Sequence, residues 1–478
     1  MDALLISLQG GLGSVASYLA AHVLLCLLPA FFIAGAMTAL IPKASVTRWL
    51  GRQAPAHVSY PAAALAGSLI AVCSCTIVPL FAGIHRKGAG IGPAVTFLFF
   101  APAGNIMALA YTGSVLGPEF AVARVLLCLV FGMGIGLCMA ALFAQDDAQH
   151  DARTDAMFAG QERIGRPALG LLLSLVGLLL AGTVKLWPLT ATIAGVELPW
   201  QSAVDAQALL NHWVPFDASR GEEGVSVQGV LLILLLGAIG LAAWRGLEGI
   251  LDGANRWTRG ALALMALTLI VASLRLMPVA EGLRVEVTGR LMAVGLMLAA
   301  TAHFARQLGI DDVRAWLWES WRFVKQIALW LIAGVFVVGV LRQWIRPEWI
   351  EALAGDNTPV ANAVAVGFGV FMYFPTLVEV PVARMFLDLG MHPGPLLAYL
   401  MADPELSLQS MLMVATVIGR RQTAAYVGLV ALFSVGAGLS YGAWVDGHPA
   451  QAAAWALGLA GLGLAVPILF KPRRPAPC

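Results

Sequence analysis

The chain has 478 residues, of which 59% are hydrophobic and 12% charged, and its mean hydropathy of +0.82 excludes an ordinary soluble domain in favour of an integral membrane protein. A formal net charge of +2, carried by Lys and Arg scattered between apolar segments, is too small to imply nucleic acid as a partner, and none is expected. Six cysteines (Cys26, Cys73, Cys75, Cys128, Cys138 and Cys478) are spread over apolar stretches and the C-terminus, which excludes a disulfide framework.

From Ala3 to Pro42 no residue is charged, and "SYLAAHVLLCLLPAFFIAGAMTALI" (Ser17 to Ile41) exceeds the roughly 20 apolar residues that cross a bilayer. No basic region precedes it, so it reads as a retained span and not as a cleaved signal. Further apolar segments follow near 60–84, 91–112, 120–143, 167–187, 227–244, 260–277, 288–303, 324–343, 360–383, 394–415, 423–444 and 451–470. The expected fold is all-α: a polytopic membrane protein of about 12 or 13 helical segments, without the alternation of a barrel.

Two connections stand out. Ala144 to Gly165 is acidic and reads as a loop, where His150 among aspartates is more readily a solvated side chain than a metal ligand. The stretch from Trp187 to Gln228 holds one basic residue, Arg220, and should face outward, whereas Arg420, Arg421 and Lys471 to Arg474 should face the cytoplasm. Counting full spans between these loops gives a contradiction, so at least one segment must be broken or re-entrant.

A shift of 302 positions lays Pro79, Gly88, Gly92, Pro93 and Pro102 on Pro381, Gly390, Gly394, Pro395 and Pro404. Gly and Pro fix breaks in the backbone, so the repeated property is a pattern of interrupted helices. Paired interruptions in two halves mark transporters built from repeats, with the substrate site where the repeats meet. The expected organisation is a first transmembrane repeat at 1–144, inserted loops and helices at 145–321, a second repeat at 322–445, and a final helix with a basic tail at 446–478.

The step of nine residues from Pro93 to Pro102, and from Pro395 to Pro404, spans roughly 14 Å of helix, half of a ~30 Å core. Each break should therefore lie near the membrane midplane. In "ADPELS" Asp403 suits an N-cap, Pro404 the first helical position and Glu405 the first turn. "APAGNI" lacks the acids, leaving Asn105 beside the break and more room for a ligand. The plain alternative is a kink that only lets neighbours pack.

Charges at this depth are costly and usually paired or functional. Glu379, two residues before Pro381, is the leading candidate for a proton-coupling or substrate-facing acid, with Arg384 as its partner; a buried pair that merely locks two helices is the alternative. Cys73 and Cys75 point about 200° apart on an intact helix and can converge only on distorted backbone, which Pro79 makes plausible. Converging thiolates would hold soft or thiophilic species as a metal or metalloid site; otherwise the cysteines are small buried hydrophobes.

"CSCTIVPLFAGIHRKGAGIGPAVTFLFFAPAGN" and "YFPTLVEVPVARMFLDLGMHPGPLLAYLMADPELSLQS" resemble the two signature regions of the ArsP/YraQ-like predicted permease family. The resemblance implies an inner-membrane permease, and some members export trivalent organoarsenicals such as methylarsenite and reduced roxarsone. It places the family's Cys-Ser-Cys-x-x-x-Pro element on Cys73, Ser74, Cys75 and Pro79, its Lys-Gly-Ala turn on Lys87, Gly88 and Ala89, and its Gly-Pro and later Pro on Gly92, Pro93 and Pro102. In the second half Glu379 and Pro381, then Gly394, Pro395, Asp403 and Pro404, carry the matching elements. The length and the middle insertion depart from the arsenical exporters, and "VEVP" is closer to the YraQ-like branch.

The function these residues imply is a secondary permease of the bacterial inner membrane, not an enzyme, with no cofactor. Its substrate site would draw on Cys73, Ser74, Cys75, Pro79, Pro102, Asn105, Glu379, Arg384, Asp403, Pro404 and Glu405. Its partners would be a small-molecule or ion substrate, the lipid bilayer and, in a homo-oligomer, further copies of itself. A membrane redox or sulfur-handling protein using the cysteine pair is the first alternative, although the chain has no CxxC, no CxxCH and no His pair on a buried helix. A non-transporting assembly subunit is the second.

Overall fold

The computed structural model describes residues 2–21, 23–52, 54–69, 74–157, 165–183, 187–213, 225–279, 282–342, 348–371 and 379–469. The chain opens with α1 (Asp2–Ala21), a π-helical turn (Val23–Leu27) and α2 (Leu28–Leu40). There follow α3 (Lys43–Leu50), α4 (Ala56–Leu69), α5 (Ser74–Arg86), α6 (Ile91–Ala103), α7 (Ile106–Val115), α8 (Pro118–Leu142) and α9 (Ala144–Met157). The middle of the chain holds α10 (Arg166–Thr183), α11 (Trp187–Thr190), β1 (Thr192–Leu198), α12 (Gln201–Trp213), α13 (Val227–Leu247), α14 (Arg256–Ser273), β2 (Arg275–Val279), β3 (Gly282–Thr288), α15 (Gly289–Gln307) and α16 (Ile310–Arg342). The last part is α17 (Glu348–Ala354), α18 (Pro359–Phe371), α19 (Glu379–Asp388), α20 (Pro393–Leu406), α21 (Leu408–Ile418), α22 (Arg420–Val445) and α23 (Pro449–Leu469).

Among the described residues, seven helices are long and apolar enough to cross a membrane: 91–115 taken through its break, α8, α10, α13, α16, α22 and α23. The fold is that of an all-α polytopic membrane protein. Several spans expected as single segments are split: 17–41 into the end of α1, the π-turn and α2, and 394–415 into α20 and α21. The acidic stretch expected as a loop forms α9 over Ala144–Met157. Asp146 and Asp147 in its first turn complement the helix dipole, and Asp147 accepts the Ile91 N–H at 3.0 Å. The Trp187 to Gln228 stretch also has regular structure, because β1 pairs antiparallel with β3 and β3 with β2 to give the order β1-β3-β2.

Contacts divide the chain into two compact units. The first comprises Met1–Ile41 and Ile164–Gln343. In it α16 packs on α1 and α2, α10 packs on α2 and α15, and α13 packs on α14. Gly35 of α2 lies against Ser320 of α16, too close for a Cβ, and Trp316 fixes the same pairing by donating Nε1–H to the Phe32 carbonyl at 2.9 Å.

The second unit comprises Pro42–Arg163 and Trp344–Cys478. Its centre is formed by α6 and α20, each buried along its whole length. A helix without a polar face is stable only when surrounded; α4 and α8 flank α6, while α18 and α22 flank α20. The breaks fall after the prolines and not at them, since Pro102 and Pro404 lie inside α6 and α20. A proline removes one N–H and crowds the carbonyl four residues back, and the two helices end at Ala103 and Leu406, one and two residues later.

Several features recur at the offset of 302. Gly88 and Gly390 adopt φ of 89° and 92°, and Gly117 and Gly419 adopt 103° and 84°, all in the region that glycine enters without a Cβ penalty. A Cβ on Gly136 would meet the Gly92 carbonyl oxygen at 2.7 Å, and one on Gly438 would meet that of Gly394 at 2.6 Å. The α6–α8 and α20–α22 crossings are thus the same close approach, made by glycines at matching positions.

Candidate functional site

The α6–α7 break is capped. Asn105 accepts the Ala108 N–H at 2.8 Å and donates its amide to the Pro102 carbonyl at 3.2 Å. Asn105 is therefore a helix N-cap, with both ends of its amide engaged. At the second break the N-cap is Ser407 (φ −57°, ψ 137°) and not the expected Asp403, which with Pro404 and Glu405 belongs to α20. The chain stays helical through Pro404 because the missing N–H bares only the Leu400 carbonyl, to which a side chain donates instead.

Arg124 of α8 joins the two breaks. Its Nε donates to the Ala103 carbonyl at 3.1 Å, its Nη1 to Thr112 Oγ1 at 3.0 Å, and its Nη2 to Glu379 Oε1 at 2.6 Å and to the Leu400 carbonyl at 3.3 Å. Ala103 is the last residue of α6. Leu400 lies four residues before Pro404, so its carbonyl is the one that the missing proline N–H leaves bare. Only a planar fork of five donors can serve this set of acceptors.

Glu379 opens α19, where the helix dipole favours a carboxylate, and both members of its pair with Arg124 are fully buried. Its partner is thus Arg124 and not the expected Arg384, which pairs with Asp388 one turn away at 2.9 Å on an exposed face. Arg384 lies on the opposite side of the short helix, facing away from the buried pair.

Two further acids are buried here. Asp403 is fully buried, and among the described residues neither of its oxygens has a hydrogen-bond partner. Glu405 receives the Tyr426 hydroxyl of α22 on Oε2, while its Oε1 has no partner among them. Gln409 of α21 is buried with both amide atoms unpaired among the described residues, as is Glu379 Oε2. Three carboxyls and one guanidinium thus share an interior where each unpaired charge costs several kcal/mol. Buried carboxyls without a protein partner call for a role of their own.

A second polar place lies where α9 meets α5, α6, α21 and α22, around a cavity of about 280 Å³ lined in part by His85, Asp147, His150, Arg153 and Gln422. The His85 and His150 rings stack 4.2 Å apart, with His150 Nε2 placed 2.7 Å from the His85 carbonyl. Burial pushes the Asp147 carboxyl above the usual carboxylate range, against the opposing effects of the Ile91 N–H and the charge of Arg52. Among the described residues no three His, Cys, Asp or Glu side chains are grouped to hold a metal ion.

Of the residues expected at a site, Glu379, Asp403 and Glu405 come together with Pro404 in the second unit, and Pro102 and Asn105 form the other break. Pro79 is inside α5. Cys73 and the side chains of Ser74 and Cys75 lie outside the described residues. Arg124, Tyr426 and Gln409 were not expected. The signal for Arg124 was present, since it is the lone basic residue between Glu119 and Leu142 in an otherwise apolar helix, the same property that singled out Glu379.

A family model described as "Predicted permease" (ArsP_1) matches residues 10–443. The UPF0718 protein MJ0584 of Methanocaldococcus jannaschii is 29% identical over 428 residues, covering 88% of this chain and 92% of that protein. The UPF0718 protein YraQ of Escherichia coli K12 is 32% identical over 116 residues, covering 23% of this chain and 32% of that protein. No solved structure matches. With a family match over nearly its whole length and seven helices fit to cross a bilayer, the chain belongs to the predicted permease family and is a multi-pass membrane permease.

Proposed function

We propose that this permease is a secondary transporter of the bacterial inner membrane, built from two repeats whose broken helices, α6–α7 and α20–α21, line the path of a small solute. Transport is coupled to protons through the buried acids of the second unit, with Glu379 among them. The observation that carries the reading is the Arg124 guanidinium, which holds the end of one broken helix at Ala103 and the proline gap of the other at Leu400. A group fastened to both breaks is placed to make their geometry interdependent.

The recurring left-handed glycines and the matching glycine crossings at the offset of 302 support the repeats, taken as 1–144 and 322–445. Each compact unit takes a share of both. The solute is thiophilic, with trivalent organoarsenicals as the first class to test, and Cys73 and Cys75 supply the soft ligands.

The test is uptake into proteoliposomes of the full chain, with methylarsenite as the probe and an imposed pH gradient. Uptake should follow the gradient, fall in Cys73→Ser/Cys75→Ser and lose its pH dependence when the buried acids are neutralised together, in Glu379→Gln/Asp403→Asn. Gradient-independent uptake would remove the coupling, and unchanged uptake in the double serine variant would remove the thiols from the path.

A further inference from the structure

Glu379 and Asp403 are both fully buried acids of the second unit, yet they are held differently. Glu379 Oε1 is locked to Arg124, whose remaining bonds go to Thr112 and to two carbonyls at helix breaks. Removing the Glu379 charge would strand a guanidinium in the interior, and moving the guanidinium would bare the Leu400 carbonyl. The pair is a fixture. Asp403 has no such tie among the described residues, where nothing donates to either of its oxygens.

The space around Asp403 restricts what can complete it. A Cβ on Gly369 of α18 would stand 3.0 Å from the Asp403 Cα and 3.2 Å from its N, so α18 closes directly over this turn of α20. Among the described residues no group of three ligating side chains surrounds a metal-sized position. A proton needs neither room nor a coordination shell, and fits a carboxyl closed over in this way.

Among the described residues the ionisable groups that face Asp403 are few. α19 brings Glu379, α8 brings Arg124 and Cys128, α22 brings Tyr426, and α20 itself carries Tyr399 and Glu405, whereas α6, α18 and α21 carry no ionisable side chain. Arg124 is therefore the one cation in reach of Asp403 among these elements, and Glu379 already holds it.

We propose that Asp403 is the seat of the exchangeable proton in this permease, and that Glu379 is the fixed counter-ion that keeps Arg124 in place. The inference rests on the proton-coupled reading and deepens it. The step is one proton added to the Asp403 carboxylate, giving a neutral carboxyl, and the same proton released later from the other side. When the proton leaves, a second carboxylate competes for the same guanidinium. Four of the five guanidinium N–H groups are already engaged, so Asp403 must draw on the last one, on Nη1, and turning the fork toward it pulls against the bonds to the Ala103 and Leu400 carbonyls at the breaks. Proton release would in this way loosen the junction that Arg124 holds.

The test is infrared difference spectroscopy of the full chain in nanodiscs, titrated through the pH range. A titrating carboxyl C=O band is expected in the parent protein and in Glu405→Gln, and it should be lost in Asp403→Asn. It should persist in Glu379→Gln or, if that variant does not fold, in the charge-neutral double variant Arg124→Gln/Glu379→Gln. A band that survives Asp403→Asn, or one lost with Glu379, overturns the assignment. Methylarsenite uptake is read in parallel on the parent protein. A titrating Asp403 band with no uptake under any gradient would defeat the transport reading and leave the proton site standing, whereas pH-driven uptake with no such band would do the reverse.

Discussion

Arg124→Gln removes the guanidinium and leaves a buried carboxylate with no partner. Deleting one member of a buried pair typically costs about 3–5 kcal/mol. The Leu400 carbonyl loses its donor as well, worth roughly 1–3 kcal/mol when left buried and unsatisfied, whereas the Ala103 carbonyl keeps the Cys128 thiol and Thr112 its bond to the Ala108 carbonyl. Part of this is recovered if Glu379 takes up a proton, so a net loss of about 4–6 kcal/mol is expected. Adding Glu379→Gln should return about 2–3 kcal/mol, since the uncompensated charge is gone while the bare carbonyl remains. Arg124→Lys should fall between, keeping the charge but serving fewer acceptors from a single point. The assay is reversible unfolding of the full chain in nanodiscs, run as a double-mutant cycle. A loss below about 1 kcal/mol for Arg124→Gln, or strictly additive single variants, would refute the view that this residue ties the breaks together.

Other outcomes follow from single contacts. Gly136→Ala and Gly438→Ala place a Cβ against the Gly92 and Gly394 carbonyls at 2.7 and 2.6 Å, and each should cost about 1–3 kcal/mol in the same unfolding assay; a neutral result at either would show that the two crossings differ. Asn105→Ala should cost about 1 kcal/mol as a lost N-cap and leave the pH dependence of uptake unchanged. Asp147→Asn should raise thermal stability most at alkaline pH. A carboxyl whose value is raised by burial contributes stability below its unfolded value and loses it as pH rises through the folded one. The gain should shrink towards pH 4, and a gain that instead grows in acid would contradict the burial argument.

The sequence made much of this architecture legible because its strongest signals act on the backbone. Pro79, Pro102, Pro381 and Pro404 with their glycines announced two interrupted segments, and α6–α7 and α20–α21 are interrupted. The positions of the breaks were misjudged by several residues, since a proline weakens the end of a helix without having to begin the next one. The acids were also legible, because Glu379, Asp403 and Glu405 are out of place in apolar runs. Their partners were not. Whether Glu379 meets Arg384, five positions away, or Arg124, more than two hundred positions away, depends on which helices pack, and no local spacing encodes that. Helix α9 was hidden for a related reason: its acidic composition reads as solvated until Asp147 is seen to receive the Ile91 N–H.

The same offset that aligns the glycines separates the chemistry of the two halves. Arg124 corresponds to Tyr426 and Ala103 to Glu405, so the α8 side chain that reaches a backbone carbonyl in one half is replaced by an α22 hydroxyl that reaches a carboxylate in the other. Glu379 and Asp403 correspond to Ile77 and Ala101, while Cys73 and Cys75 correspond to Pro375 and Leu377. Backbone devices recur and ionisable groups do not. The buried acids thus lie in one half and the CxC thiols in the other. Exchanging the pairs, with Ala103→Glu and Arg124→Tyr in the first half, would keep the geometry of the crossings while removing the cation that Glu379 needs. Such a chain should fold less stably than one carrying Glu379→Gln as well. If it did not, the asymmetry would be incidental to how the two halves are held.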